Sequence, residues 1–322
     1  MKLDKNLANF KSVIALVLLC ITMAVLSDKF LTVDNAWNVM RQISVNLCIS
    51  VGMTLVILSG GIDLSVGSIL ALSSAIAAGL IKFGWELPAI NLFVGFTLLG
   101  AIISGTAVGS GLGMFNGWMI TKFKVPPFVA TLAMLTIARG LTMLWTGGYP
   151  ITGLGSSFSF LGTGWFLGIP MPVWISALIV GIAIIITKRT QLGRYIYAIG
   201  GNESAAKLSG INIKKVKIWV YTIAGALSAV GGLIVTARLD SAQPNAGLTY
   251  ELDSIAAVVI GGTSLSGGRG SILGTVQGAL IIGVLNNGLV LLNVSPFWQQ
   301  VVKGAVILLA VILDKASRKE VE

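Results

Sequence analysis

Few residues in this sequence could make or break a covalent bond. It contains no histidine, so the commonest general base and metal ligand is missing. Cys20 and Cys48 both lie in apolar segments, at a spacing that fits neither a redox motif nor a metal site. There is no GxxxxGK[ST] loop for ATP and no nucleophile paired with a base. We therefore expect no catalytic residues, no metal and no cofactor bound by the chain itself.

Asp63 is the acidic residue in the most unusual setting. It lies in the stretch SGGIDLSVGSILALSS, between the glycine pair Gly60-Gly61 and Gly67, where two apolar runs meet. A carboxylate in such a place is costly and usually faces protein or a water-filled path. Glycine breaks in apolar spans also point to transport sites. The alternative is a tight turn in which Asp63 caps the next helix through amides near Ser65 and Val66. Local geometry favours the cap, and both roles can hold together.

A second polar stretch, residues 188–217, stands out from the apolar chain around it. It carries seven of the 22 Lys and Arg residues and a single acid, Glu203. Residues 203–209 are good helix formers, Asn202 is placed to cap their start and Gly210 to end them. Basic loops between spans belong on the cytoplasmic side. The stretch thus predicts either a short helix presented to another protein or a plain basic loop against anionic lipid.

The elements that position these residues must be membrane helices. Hydrophobic residues make up 55% of the 322 residues and charged residues only 11%, whereas soluble domains carry roughly 25% charged residues. The net charge of +10 does not indicate a nucleic-acid partner, because the positive residues fall in loops between apolar runs. These features predict an all-α polytopic membrane protein forming one domain over residues 1–322, with no soluble catalytic domain.

Apolar runs predict ten transmembrane helices with both termini in the cytoplasm. In this arrangement 16 Lys and Arg lie inside, Arg139 and Lys303 lie in spans, and only Lys29, Arg41, Lys82 and Arg238 lie outside. The predicted spans are 12–27, 37–60, 64–81, 90–119, 128–146, 168–187, 218–237, 254–265, 272–292 and 297–313.

Three features of these spans can be tested against a structure. The fourth span carries small residues four apart, a pattern that brings helix backbones close in lipid, either within the subunit or between subunits; they are Ala101, Gly105, Gly109, Gly113 and Gly117. Arg139 could bind a solute, bind backbone carbonyls or reach outward to the membrane surface. Residues 261–273 echo residues 60–70, as internal repeats do in transporters.

Four stretches resemble the membrane permeases of bacterial ABC monosaccharide importers, in the group that handles ribose, xylose, galactose and arabinose; they are SGGIDLSVGSILAL, ARGLTMLWTGGYPI, QLGRYIYAIGGNESAAKLSGI and LDSAQPNAGLTYELDSIAAVVIGGTSLSGGRGSI. The similarity covers essentially the whole chain. Glu203, Ala205, Ala206 and Gly210 resemble the E-A-A-x-x-x-G signature of importer permeases, with Ser204 inserted.

This resemblance implies a type II-like ABC importer permease in the bacterial inner membrane. Its expected partners are a second copy of itself, a cytoplasmic ATPase that binds the ATP and docks on residues 203–210, an external sugar-binding protein and membrane lipid. A neutral sugar needs hydroxyl and amide partners, which makes five residues candidates for the translocation pathway: Asn46, Asp63, Ser65, Asn116 and Asn286. An ion-coupled secondary transporter of a small polar solute, with Asp63 at the coupling site, is the alternative.

Overall fold

The computed structural model describes residues 2–87 and 92–319, which form a bundle of helices joined by short connections. Short antiparallel strand pairs occur only in connections, as β1 (Trp85–Leu87) with β2 (Leu92–Val94), β3 (Ile151–Thr152) with β6 (Ser241–Ala242), and β4 (Trp165–Phe166) with β5 (Ile169–Pro170). The helices are α1 (Lys2–Leu26), α2 (Val33–Leu58), α3 (Val66–Phe83), α4 (Leu98–Lys122), α5 (Pro127–Thr146), α6 (Ser156–Thr163), α7 (Met171–Arg189), α8 (Gln191–Gly201), α9 (Glu203–Leu208), α10 (Ile213–Leu239), α11 (Tyr250–Ile260), α12 (Ile272–Leu291) and α13 (Pro296–Lys319).

Seven of these helices are long and apolar enough to cross a membrane, by length and composition, in the described part of the chain: α2, α3, α4, α5, α7, α10 and α12. They coincide with seven of the ten predicted spans. The other three predicted spans fall on α1, α11 and α13. An all-α polytopic membrane protein is therefore confirmed.

The predicted boundaries of the fourth and eighth spans differ from the structure in ways that have a clear physical reason. The fourth span was expected to begin at Ile90, which lies outside the described residues, but β2 occupies 92–94 and α4 begins only at Leu98. The eighth span was expected over 254–265, whereas α11 runs from Tyr250 to Ile260. Hydropathy excludes Glu251 and Asp253 from that span, yet acidic residues are stabilised in the first turn of a helix by its dipole.

Helix α10 lies at the centre of the bundle and packs on α2, α3, α4 and α6. Its closest approach is to the small-residue face of α4, all of which is buried. A Cβ added at Gly109 would lie 2.6 Å from the carbonyl oxygen of Gly225 in α10, and one at Gly105 would lie 2.8 Å from the carbonyl oxygen of Ser73 in α3. The stripe on α4 is thus a packing seam within the subunit, the first of the two predicted roles.

The bundle has two distinct ends. The basic end is formed by the connections 59–65, 123–126, 190–212 and 261–271, which meet through bonds such as Gly268 N–H to the Leu58 carbonyl at 3.0 Å. At the far end the β3–β6 pair joins two connections, and the Arg238 guanidinium donates to Asn38 Oδ1 at 2.7 Å. The two segments with similar sequence, 60–70 and 261–273, both follow a helix and both lead into the next one at the basic end.

The connection from α10 to α11 turns back into the bundle. Gly247 lies against Gly67, near the start of α3. Arg139 of α5 holds this segment by donating from Nη1 to the carbonyls of Pro244 and Ala246, at 2.7 and 2.9 Å. Of the three predicted roles for Arg139, the structure shows the binding of backbone carbonyls. Helix α11, with 11 residues, is about 16 Å long, close to half the thickness of a bilayer's hydrocarbon core.

Candidate translocation and coupling sites

A polar cavity lies in the half of the bundle toward the far end, and two of the five predicted pathway residues line it. Its volume is about 240 Å³. Asn46 comes from the middle of α2 and Asn286 from the last turns of α12, so the fold brings together residues 240 positions apart. The whole lining is Gln42, Val45, Asn46, Val235, Arg238, Leu239, Tyr250, Asp253, Asn286, Val290, Gln299 and Lys303.

An ion pair forms one wall of this cavity. Lys303 Nζ of α13 lies 2.9 Å from Asp253 Oδ2 of α11, and Asn286 lines the same cavity. The pair joins α13 to the first turn of α11 deep between helices. Sequence reasoning did not select these two residues, although a signal existed: Lys303 lies inside a predicted span, and a charge in a span calls for a partner.

The other three predicted pathway residues form a separate cluster near the basic end. Asp63 Oδ1 accepts two bonds from Ser65, one from its amide at 2.9 Å and one from its hydroxyl at 2.6 Å. Asn116 of α4 in turn donates from Nδ2 to Ser65 Oγ at 2.9 Å. All three side chains are buried. Asp63 thus forms the predicted turn by bonding to Ser65, but it does not cap the helix, because Ser65 is the N-cap residue of α3, which begins three residues after Asp63. A place for the cluster in a pathway stays a prediction.

The electrostatics of this cluster are unusual. No Lys or Arg pairs with the Asp63 carboxyl among the described residues, and its Oδ2 atom has no hydrogen-bond partner there. Burial raises the pKa of Asp63, and the two bonds from Ser65 offset part of that rise. The neighbouring carbonyl of Ile62 accepts from Tyr221 Oη at 3.3 Å, which ties the same turn to α10.

The predicted short helix is present at the basic end as α9. Asn202 Oδ1 accepts from the amide of Ala205 at 2.9 Å, which caps the helix start. Gly210 has φ of 82° and the amide of Ile211 bonds back to the Ala206 carbonyl at 3.1 Å, which is the glycine-dependent way to end a helix. Ala206 is buried and the rest of α9 is exposed; Leu208 keeps 90% of its surface exposed.

Glu203 makes an ion pair within the chain. Its Oε2 atom lies 2.6 Å from Nζ of Lys217 in the first turns of α10, and the side chains are 55% and 14% exposed. The resemblance implied that residues 203–210, which include this carboxylate, contact the ATPase. The ion pair fixes α9 against α10, and half of the Glu203 side chain remains exposed to contact another protein.

Backbone contacts link the basic loop to the transmembrane helices. A Cβ at Gly200 would clash with the Leu58 carbonyl at the end of α2 and would lie 2.5 Å from the amide of Gly268. The hydroxyl of Tyr197 in α8 donates to the Gly270 carbonyl at 3.0 Å. The loop that carries α9 therefore directly touches the end of α2 and the connection between α11 and α12.

Metal and redox sites have no candidate residues in the described ranges. No three His, Cys, Asp or Glu side chains come together there in a group that could hold a metal. Cys20 is half-buried in α1 and Cys48 is fully buried in α2, and both are free thiols. They pack as small hydrophobic residues.

Seven membrane-length helices, with charged residues concentrated in the connections, define a multi-pass membrane protein. The chain belongs to the transport permease family described as branched-chain amino acid transport system / permease component, which matches residues 35–311. It is a multi-pass protein of the bacterial inner membrane.

Relatives with full-length similarity carry more specific names. The chain is 50% identical over 317 residues to the ribose import permease protein RbsC of Haemophilus influenzae, covering 97% of this chain and 95% of that one. It is 54% identical over 304 residues to RbsC of Bacillus subtilis, covering 94% and 91%. The xylose transport system permease protein XylH of Haemophilus influenzae is 34% identical over 377 residues, with 98% of each chain covered.

Proposed function

We propose that this chain is the transmembrane subunit of an ATP-driven importer of ribose or a closely related monosaccharide. The observation that carries the proposal is the identity of 50% and 54%, over nearly the whole chain, to two permeases named for ribose import. The family description names branched-chain amino acids, but the more similar relatives are named for pentoses. The wider family therefore handles more than one solute class, and this chain falls with the sugar permeases.

In this function the chain crosses the membrane ten times, with both termini and the basic end in the cytoplasm. Seven of the crossings are the apolar helices of membrane length, and the other three are α1, α11 and α13. Support comes from the loop 190–212, whose Lys and Arg residues belong inside by the positive-inside rule. The far end, with its polar cavity, then faces the external sugar-binding protein.

Helix α9 is the docking element for the cytoplasmic ATPase. It projects from the basic end with Leu208 almost fully exposed, and a lone exposed leucine on a capped helix suits insertion into an apolar cleft of a partner. The partner binds and hydrolyses the ATP, so the permease needs no nucleotide site or cofactor of its own. Two copies of the permease form the complex, as the resemblance to ABC importers implies.

The test is uptake by the reconstituted complex. The permease is placed in proteoliposomes with an ABC ATPase and a sugar-binding protein of the same organism, and uptake of labelled ribose, xylose and leucine is compared. We expect ATP-dependent uptake of ribose that needs the binding protein and survives proton uncouplers at constant ATP. Uptake of leucine in place of sugars would contradict the substrate class.

The buried, unpaired carboxyl oxygen of Asp63 favours one rival function, an ion-coupled secondary transporter. Such a transporter would lose uptake when the proton gradient is collapsed at constant ATP, and would also lose uptake in Asp63→Asn. Uptake measured with a proton uncoupler at constant ATP, as in the experiment above, therefore separates the two functions.

A further inference from the structure

Polar side chains line the cavity between α2, α10, α11, α12 and α13, and some of their hydrogen-bonding atoms have no partner in the described chain. Asn46 is 6% exposed and makes no side-chain hydrogen bond to the described residues. Asn286 is 5% exposed, and its Oδ1 atom has no partner in the described chain. A buried amide without partners costs free energy. Unpaired amide atoms on two buried side chains at one cavity indicate a place that a polar guest completes.

The charges of the cavity select the class of guest. Asp253 and Lys303 neutralise each other at 2.9 Å, and Arg238 at the rim is bonded to Asn38. The amides of Asn46 and Asn286 offer both donors and acceptors without a charge. A neutral molecule rich in hydroxyl groups suits this lining, because each hydroxyl donates one hydrogen bond and accepts others.

The size and the apolar part of the lining fit the same class. One water needs about 10–15 Å³ of cavity volume, so a cavity of about 240 Å³ has room for a guest of many heavy atoms, such as one monosaccharide. Tyr250 offers an aromatic ring to the C–H face of a sugar, and Val45 and Val235 complete the apolar side.

We propose that this cavity is a monosaccharide site contained within a single permease subunit, in which Asn46 and Asn286 bind sugar hydroxyls. This inference rests on the proposed function for the class of solute. It adds that each copy of the permease holds its own sugar between α2, α10, α11, α12 and α13, in addition to any path between two copies. A complex with two permease copies then binds two sugars.

The test uses the purified complex of permease and ATPase in lipid nanodiscs, without the binding protein, and measures equilibrium binding of labelled ribose. The key variant is Asn46→Leu, which replaces an amide without bonds to the described chain by an apolar side chain of the same branching and number of heavy atoms. We expect saturable binding of one ribose per permease chain in the wild type, weakened about tenfold or more in Asn46→Leu by the lost hydrogen bonds.

Ser50→Ala is the matched control. Ser50 lies one turn further along α2, is fully buried and has an unpartnered hydroxyl, but it does not line the cavity. Ribose affinity should match the wild type in this variant. Both variants are also compared for yield and thermal unfolding, and we expect neither to lose stability.

A second readout does not depend on affinity. In a background with Cys20 and Cys48 replaced by alanine, ribose should slow the reaction of Asn46→Cys with a small methanethiosulfonate reagent. It should leave the rate unchanged for Ser157→Cys, which is exposed on α6.

Four results would overturn the inference: no saturable ribose binding at millimolar sugar, unchanged affinity in Asn46→Leu, one ribose per two permease chains, or stronger binding of ribose 5-phosphate than of ribose, which would indicate an anion site. If the wild-type proteoliposomes still take up ribose, only the intrasubunit site is lost. If they do not, the proposed function fails with it.

Discussion

At the scale of single residues, the ion pair between Glu203 and Lys217 bears on the role of Glu203, the acidic residue of the E-A-A-x-x-x-G signature. If its main partner is Lys217, at 2.6 Å, then Glu203→Lys should lower transport sharply, because two like charges would face each other and push α9 away from α10. The charge-swapped pair Glu203→Lys with Lys217→Glu should restore most of it. Transport and stimulation of ATP hydrolysis by the sugar-loaded binding protein are the measurements.

The same swap separates two roles of Glu203. A swap that leaves transport as low as Glu203→Lys alone would mean that the carboxylate acts on the ATPase instead. Lys217→Met, which removes the intramolecular partner but keeps Glu203, is the control. A pull-down of the ATPase shows whether docking itself is lost.

Asp63 gives a second prediction at this scale. Asp63→Asn keeps one carbonyl oxygen to accept both bonds from Ser65, so we expect it to retain most of the transport. Asp63→Leu leaves the amide and the hydroxyl of Ser65 without that acceptor, a loss of about 2 kcal/mol of folding free energy. Uptake and thermal unfolding in detergent measure the two effects. Loss of uptake in a well-folded Asp63→Asn protein would point to a functional proton on this residue.

The dependence of stability on pH follows from the same carboxyl. Because burial raises its pKa in the folded state, the fold favours the protonated form. The stability that this group contributes is present at low pH and is lost as pH rises through the raised pKa. Asp63→Asn cannot ionise, so its melting temperature relative to the wild type should increase with rising pH. A constant difference across that range would contradict the raised pKa.

At the scale of elements, much of the basic loop could be predicted from the sequence. Cap residues act locally, so Asn202 and Gly210 revealed both ends of α9 without any tertiary information. The ends of α11 could not be read in this way. Asp253 is tolerated in the bundle because Lys303 comes from another helix to pair with it, and hydropathy along the chain does not reveal such a partner.

The turn after α9 provides an element-scale prediction. Gly210 has φ of 82°, where a β-branched residue is strongly disfavoured. Gly210→Val should therefore misdirect α9 relative to α10 and sharply lower coupled ATP hydrolysis, while insertion in the membrane continues. Gly201→Val is the control, since Gly201 has a helical backbone and open space around its Cα. Equal activity in the two variants would show that the turn does not position α9.

A neighbouring glycine tests the contact between the loop and the bundle. A Cβ at Gly200 meets the Leu58 carbonyl and the Gly268 amide, whereas one at Gly201 meets nothing within 4 Å. Gly200→Ala should thus separate the loop from α2 and the 261–271 connection and lower both stability and transport. Gly201→Ala should match the wild type in both. Normal transport by Gly200→Ala would mean that coupling does not pass through this contact.

At the scale of the whole molecule, the five candidate pathway residues show where sequence reasoning stops. Each was recognisable as polar beside apolar runs, but nothing in the sequence shows that Asn46 and Asn286 share a cavity while Asp63, Ser65 and Asn116 bond to one another. That division depends on how α2 and α4 pack against helices far along the chain. Hydropathy predicts the type of element and the positions of the seven membrane-length helices, whereas packing decides which polar atoms remain unpaired.

The last prediction concerns the orientation of the molecule in the membrane. Ser157 is exposed on α6 at the far end, and Ser204 is exposed on α9 at the basic end. Helix α10, with 27 residues, separates the two ends by about 40 Å, so the fold requires the two serines to lie on opposite sides of a bilayer. On a background without Cys20 and Cys48, Ser157→Cys should react with a membrane-impermeant thiol reagent in intact spheroplasts. Ser204→Cys should react only in inverted vesicles, because the basic loop belongs in the cytoplasm. The reversed pattern would keep the fold and invert the topology, and reaction of both cysteines from one side would contradict the fold itself.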